Sequence, residues 1–361
     1  MANTAKEVII PNEAGIFRVV FLYVGQGDAT LLVVPDGDNY IYVLIDMNVD
    51  KSAGGINVQA MLDDLLDDKL DAFINTHPHK DHLHGIEELH NSIGVKEIWH
   101  SGHKPSKDHD DSYQELKNVI KDIGTGNEFI LFGSNTENKV RQSDKETEII
   151  KKIGDADYTV LSPAEFVADD IEDEDPQTRD RRIHEHCSVI VFSYGDDEKQ
   201  ILITGDSDKK SWEEHITDYH EDKLPSAVLS ASHHGSRTFF KNTEDDEDVY
   251  ETHIEKIDPS YLIVSAPKQT ESRHDHPHDD AIKIYKKHLD DEDIIHLGEN
   301  RESVIVDISE SGTLEVKTDK RLVEEYGFDN NGKKSSGNSG SIKSAGFIGS
   351  ATSQLDKKPM G

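Results

Sequence analysis

The chain of 361 residues has a single cysteine, Cys187, so no internal disulfide can staple the fold and a reducing compartment is the expected setting. No apolar run approaches the ~20 residues a helix needs to cross a bilayer. The first residues, Met1-Ala-Asn-Thr-Ala-Lys-Glu7, lack the basic segment and following apolar segment of a secretory signal. Together these absences point to a cytoplasmic protein with no membrane attachment. Basic residues are also scarce: 39 Lys and Arg face 73 Asp and Glu, for a formal net charge of −34. A sequence-independent grip on long nucleic acid needs a basic surface that displaces counterions, so the chain is not built for one unaided. Acidic runs such as Asp169–Asp175 and Glu244–Asp248 lack the spaced ligands and turn glycine of a calcium loop and read as solvated loops.

What the chain concentrates is histidine. His77-Pro-His79-Lys-Asp81-His82 places three histidines and an aspartate in six positions, and imidazole with carboxylate suits a borderline divalent ion such as zinc. Asp71–Thr76 before it reads as a buried strand and Gly85–His90 after it as one or two helical turns. Two metals with open positions need about three protein ligands each, commonly with one bridging carboxylate, so further ligands must lie downstream. Ser188–Tyr194 and Gln200–Thr204 are apolar, β-branched runs joined by Gly195-Asp-Asp-Glu-Lys199, a hairpin signal. Such a hairpin brings His184, His186 and Asp206 to one sheet edge. His186 is the preferred ligand because it lies nearer the strand, with His184 as the alternative on the same side of an extended chain. Cys187 reads as a small buried apolar residue. A further strand, Ser226–Ser232, runs into His233-His234-Gly235-Ser236.

The histidine run on a strand-to-helix loop resembles the metallo-β-lactamase superfamily. Within it, His233-His234-Gly235-Ser236, the early Val24-Gly-Gln-Gly-Asp28-Ala29 and Val43-Leu-Ile-Asp46 resemble the metal-dependent domain of ComEC-type competence proteins and the phosphorylcholine esterases. The resemblance spans about residues 16–318 with the motifs in family order. It departs at His186, where the competence proteins often show asparagine, and in the long charged segment 102–182. It implies an α/β fold, a four-layer αββα sandwich with the metal site at the sheet edge, holding two divalent ions, Zn or Mn. By the same resemblance His77, His79 and His186 hold the first ion, Asp81, His82 and His234 the second, and Asp206 bridges. His233, rather than His234, then sits beside the substrate, Asp28 and Asp46 orient the ligands from behind, and His276 lines the rim. The activity implied is hydrolysis of a phosphodiester, in a nucleotide or nucleic acid, by a hydroxide shared between the metals. Asp81 would orient the hydroxide, His233 or His276 would assist the leaving group, and Arg237, Lys268 and Arg273 would hold phosphate. The alternatives are an acyl hydrolase for lactones or thioesters, and a metal-bound scaffold acting through a protein partner at the acidic surface or the tail.

Strands are expected near 16–24, 28–35, 40–46, 71–76 and 96–100, and a final hairpin at 303–308 and 313–317 around Ser311-Gly312. Helices are expected over Asn57–Asp67, whose Val58, Met61, Leu62, Leu65 and Leu66 form an apolar face, and over Ser112–Ile123 and Lys209–Tyr219. The hydrolase domain is expected over 1–328, with a charged insertion or elaborated loop at about 104–182. The segment 329–361, rich in Gly, Ser and Lys, reads as a disordered tail. His90, His100, His103, His109, His215, His220 and His296 lack a ligand pattern and are expected mostly at the surface, outside the site, as His84 is.

Overall fold

The computed structural model describes residues 4–66, 68–105, 110–170 and 175–328; the expected tail, His109 and most of the first acidic run lie outside them. The strands are β1 (Ile16–Phe21), β2 (Thr30–Asp36), β3 (Asn39–Ile45), β4 (Leu70–Asn75), β5 (Val95–His100), β6 (Glu128–Ile130), β7 (Lys139–Gln142) and β8 (Thr147–Ile150). They continue as β9 (Asp157–Ser162), β10 (Val189–Tyr194), β11 (Lys199–Ile203), β12 (Val228–Ser230), β13 (Tyr261–Val264), β14 (Ile294–His296), β15 (Ser303–Ser309) and β16 (Leu314–Asp319). Ten form one sheet in the order β16-β15-β1-β2-β3-β4-β5-β6-β7-β8, and six form a second in the order β14-β13-β12-β11-β10-β9.

The two sheets pack face to face and helices cover both outer faces, giving the four αββα layers. Strand periodicity explains how one strand serves two layers. Phe17, Val19 and Phe21 of β1 join Phe192, Ile201 and Ile263 of the other sheet in the central core. Val20 and Leu22 point the other way, to the core shared with the helix Val58–Leu65. Asn57 caps that helix by accepting a hydrogen bond from the Ala60 amide, and Val58, Met61, Leu62 and Leu65 are its buried face. Arg18 would be a buried charge in this apolar setting, but β1 pairs with β15 so that Arg18 stands opposite Asp307. The guanidinium grips that carboxylate with two bonds of 2.6 and 2.7 Å.

Two expectations change. Residues 104–182 are not an elaborated loop: they supply the helix Asp110–Ile123, extend the first sheet with β6, β7 and β8, and begin the second with β9. Glu-Phe-Ile, Lys-Val-Arg-Gln and Thr-Glu-Ile-Ile are too short and polar to register as strands until they pair with a neighbour. The helix expected over Lys209–Tyr219 is short, Lys209–Ser211, and then widens over Trp212–Ile216, where the Thr217 amide reaches back five residues to the Trp212 carbonyl.

Topology gathers the histidine loops at one edge. β3, β4 and β5 run parallel, as do β11, β12 and β13, so the C-terminal ends within each set leave the sheet on the same side. β10 is antiparallel to β11 and begins at that edge. The Ser188 amide bonds the Thr76 carbonyl at 2.8 Å, joining the start of β10 to the end of β4 across the two sheets.

Candidate metal centre

Five loops supply the site: Asp46 follows β3, the histidine run follows β4, His184 precedes β10, Asp206 follows β11, and His233-His234 follows β12. Backbone freedom lets them meet. Gly205 has φ +49°, and a β-carbon there would lie 2.6 Å from Cys187 Sγ and 2.8 Å from the Thr76 side chain. Gly27 has φ +121°, and its own β-carbon would fall on the Asp81 carbonyl, which the Asp28 amide bonds at 3.3 Å. His233 and His234 both occupy the left-handed region, at φ 50° and 56°. That is uncommon for side-chain-bearing residues and is tolerated where the surroundings over-determine it, often at functional sites.

The ligand-type atoms fall into two groups. In the first, His77 Nε2 lies 3.0 Å from His79 Nδ1, His184 Nε2 lies 3.4 Å from the same atom, and Asp206 Oδ2 is 3.5 Å from His77 and 4.0 Å from His184. In the second, Asp206 Oδ1 is 3.2 Å from His82 Nε2 and 3.6 Å from His234 Nε2, and Asp81 Oδ2 is 3.4 Å from His234 Nε2. A tetrahedral shell with bonds of ~2.0–2.1 Å has ligand-to-ligand edges of about 3.3–3.4 Å, so both groups have the spacing that a small divalent ion requires. His82 Nε2, Asp206 Oδ1 and His234 Nε2 are moreover buried with no hydrogen-bond partner. Three converging orphaned polar atoms are costly unless a cation satisfies them.

The opposite side of each ring is already used. His82 Nδ1 is 2.7 Å from Asp46 Oδ2, His234 Nδ1 is 3.0 Å from the Ser265 carbonyl, and His77 Nδ1 is 3.2 Å from Thr76 Oγ1. These contacts leave Nε2 of each ring facing its group. Asp28 lies within reach of the same cluster, but on the Nδ1 side of His234 at 3.6 Å, which suits orienting the ring better than sharing its ligand. Burial lowers the His77 pKa well below its usual value and, with His184 beside it, brings His79 down to about 4, so both rings are in the neutral, ligating form. Burial opposes protonation of His82 and His234 as well. There the neighbouring carboxylates together outweigh it, Asp206 with Asp46 at His82 and Asp206 with Asp28 and Asp81 at His234, and both pKa values rise. A cation entering the second group therefore displaces protons. Burial would raise Asp206, but the imidazoles around it hold it well below the carboxylate range.

His184, and not the preferred His186, stands in the first group. The segment before β10 is a turn: the His186 amide bonds the Arg182 carbonyl and the Cys187 amide the His184 carbonyl. The chain there is therefore not extended, and His186 turns aside to lie 5.0 Å, ring to ring, from His103. Glu185 fixes this turn: it is buried, accepts bonds from Arg182, Lys210 and His215 at 2.8–3.1 Å, and is thereby held well below its usual pKa despite burial. His184→Ala is expected to weaken metal binding in the first group by at least ~10-fold, while His186→Ala leaves metal content intact. Elemental analysis after gel filtration checks this, and the reverse pattern would return the ligand role to His186.

His233 Nε2 lies 3.5 Å from Asp206 Oδ2, and its ring is 4.5 Å from His184 and 5.2 Å from His276. Arg237 is engaged by Asp280, which holds its Nε at 2.9 Å. Beside Asp81 opens a cleft of about 380 Å³ lined in part by Arg273, Gln26, Lys80 and His84 but not by Lys268. Of these only Arg273 was expected at the site; Lys80 lies inside the histidine run, at a position the ligand pattern leaves free. Of the seven histidines expected mostly at the surface, none of the six in the described residues is exposed. Local partners explain five: Asp122 for His90, Glu128 for His100, Glu185 for His215, Asn135 for His220 and the Ala266 carbonyl for His296. His103 is buried against His186, its pKa brought down to about 2 by burial.

Fold and site together define a four-layer αββα protein with a candidate metal centre at the sheet edge. The chain belongs to the metallo-beta-lactamase superfamily, whose family model matches residues 23–243. No curated protein matches it in sequence. Among solved structures it is similar to the metallo hydrolase Igni18 from the hyperthermophilic archaeon Ignicoccus hospitalis, at 13% identity over 83% of this chain and 98% of that one, with a TM-score of 0.42. It is similar to a diphosphatase from the PhnP family at 13% identity over 84% and 98% of the two chains, with a TM-score of 0.39. A mutant of the CmlA beta-hydroxylase matches at 14% identity over 77% of this chain, TM-score 0.43, and the match spans about half, 52%, of that longer chain. No helix in the described residues is long and apolar enough to cross a membrane.

Proposed function

We propose that the protein is a dinuclear metal-dependent phosphodiesterase, with His77, His79 and His184 as protein ligands of one ion, Asp81, His82 and His234 of the other, and Asp206 shared. The observation that carries this reading is Asp206, which turns one carboxylate oxygen to each group of histidines. Divalent ions so held would supply Lewis acidity and bring the pKa of bound water toward neutrality. No serine or cysteine of the chain is needed as a nucleophile, and burial keeps the thiol of Cys187 protonated.

The remaining side chains position and discharge. Burial keeps His233 neutral, so it acts as a hydrogen-bond donor to a phosphoryl oxygen rather than as a cationic acid. His276, buried beside it with Nδ1 unpartnered, is kept neutral by burial, its pKa brought down to about 3, and is placed to assist the leaving group by a hydrogen bond at that atom. The likeness of the Gly25-Gln-Gly27-Asp28 and His233-His234-Gly235-Ser236 segments to the competence-protein and phosphorylcholine-esterase branch supports a phosphoester. A lone, buried cysteine suits a cytoplasmic setting. The test is hydrolysis of bis(p-nitrophenyl) phosphate with Mn²⁺ or Zn²⁺, run beside a lactone and thioester panel. Turnover of the phosphodiester alone is expected; turnover confined to the acyl panel would transfer the site to acyl hydrolysis, and none in either arm, with metal bound, to the scaffold reading.

A further inference from the structure

The cleft beside Asp81 is bounded by the 48–52 loop, the start of the histidine-run helix and the 271–274 loop, and its volume is about 380 Å³. That lies within the roughly 300–1,000 Å³ of small-ligand sites. Its only aliphatic wall is Val49, which ill suits an acyl chain. Four charged side chains besides Asp81 line it, and they differ in their commitments. Asp50 is used up locally: Oδ1 accepts the Ser52 amide and hydroxyl at 2.9 and 2.6 Å, and Oδ2 accepts the Gln26 amide at 3.2 Å. Glu271 is paired with Arg301 at 3.0 Å. Lys80 and Arg273 are both exposed and make no ion pair or hydrogen bond among the described residues. In a chain with 73 acidic and 39 basic residues, neighbouring cations find carboxylates: Arg237 and Lys241 share Asp280 at 2.9 and 2.8 Å. The charged side chains of the cleft left free to bind a ligand are therefore the two cations. A neutral donor adds to it, since Gln26 Nε2 is buried without a partner while its Oε1 accepts from Ser272.

We propose that this cleft is a subsite for a second phosphate, so that the substrate class is a compact phosphodiester carrying another phosphate group on the part that enters the cleft. Lys80 and Arg273 hold that group, with Gln26 donating to it. Lys80 lies between His79 and Asp81 in sequence, so the cation is tied to the loop that carries the metal ligands. This rests on the phosphodiester reading of the metal centre. The second phosphate could belong to a nucleotide or to the end of a nucleic-acid strand, since both present the same group at the same remove.

The test is a calorimetric titration of the full chain with adenosine 3′,5′-bisphosphate and with adenosine 5′-monophosphate, for the wild type and Lys80→Ala/Arg273→Ala. The bisphosphate is expected to bind the wild type on the order of tenfold to a hundredfold more tightly, and the double variant is expected to lose most of that preference. Equal binding by the wild type, or a preference that survives in a double variant with an unchanged circular dichroism spectrum, would overturn the proposal. The titration needs no turnover, whereas bis(p-nitrophenyl) phosphate carries one phosphate and tests the metal centre alone, so the two failures are distinguishable. Within the supporting outcome, competition by a 5′-phosphorylated dithymidylate as effective as that by the bisphosphate assigns the group to a strand end, and weak competition assigns it to a free nucleotide.

Discussion

Asp206→Asn should lower kcat/KM for a phosphodiester by about a thousandfold or more, equivalent to about 4 kcal/mol of transition-state stabilisation. The substitution keeps shape and volume in a fully packed position, but it replaces one carboxylate oxygen with an amide that donates and cannot ligate. Because Oδ1 and Oδ2 face different histidine groups at 3.2 and 3.5 Å, the amide can satisfy one group at most. The variant is therefore expected to retain no more than one tightly bound ion per chain. The charge matters as well. Asp206 is the largest favourable influence on the protonated forms of His82 and His234, so its loss lets burial drive both rings toward neutrality. Metal stoichiometry and kcat/KM measured on one preparation check the prediction, and two tightly held ions with undiminished turnover would refute the shared-ligand role.

Asp46→Ala should be nearly as damaging, through support rather than contact. Asp46 is 1% exposed and accepts from the Thr76 amide at 2.8 Å, the Thr76 hydroxyl at 2.5 Å, Asn75 Nδ2 at 3.0 Å and the His82 ring at 2.7 Å. Removing it strands several buried donors at once, which is expected to cost roughly 3–5 kcal/mol. For a domain of this size that is a fall in Tm of about 4–7 °C. It also frees the His82 ring from the contact that aims Nε2 at Asp206, so affinity at the second group should fall about 10- to 100-fold. Asp46→Asn keeps the volume and part of the network and should fall between the two. Calorimetric melting and metal titration read the two effects separately, and an alanine variant that melts and binds as the wild type does would remove Asp46 from the account.

Much of this was legible from short-range pattern. The histidine run is dense enough that its strand-to-helix setting follows from its own flanks, and the helix over 58–65 announces itself through Asn57 and a continuous apolar face. Short apolar runs mark β1 to β5 and the β15–β16 hairpin, because each buries enough apolar surface to show in its own residues. β6, β7 and β8 carry no such signal. They are strands because β5 offers an edge to pair with, and pairing energy belongs to the neighbour as much as to the segment.

The sequence by itself determined which chemistry the chain can perform: a concentration of imidazole and carboxylate at loop ends, one cysteine, and too few cations for a general grip on nucleic acid. Only the tertiary structure decided which imidazoles take part. A turn held by main-chain bonds and by Glu185 presents His184 and rotates His186 away, and spacing along a chain does not reveal such a rotation. Ion pairs formed across distant segments likewise decided which cations are spent, Arg237 on Asp280, and which stay uncommitted beside the site, Lys80 and Arg273. Ligand type is a property of a residue, whereas direction and charge balance are properties of everything packed around it.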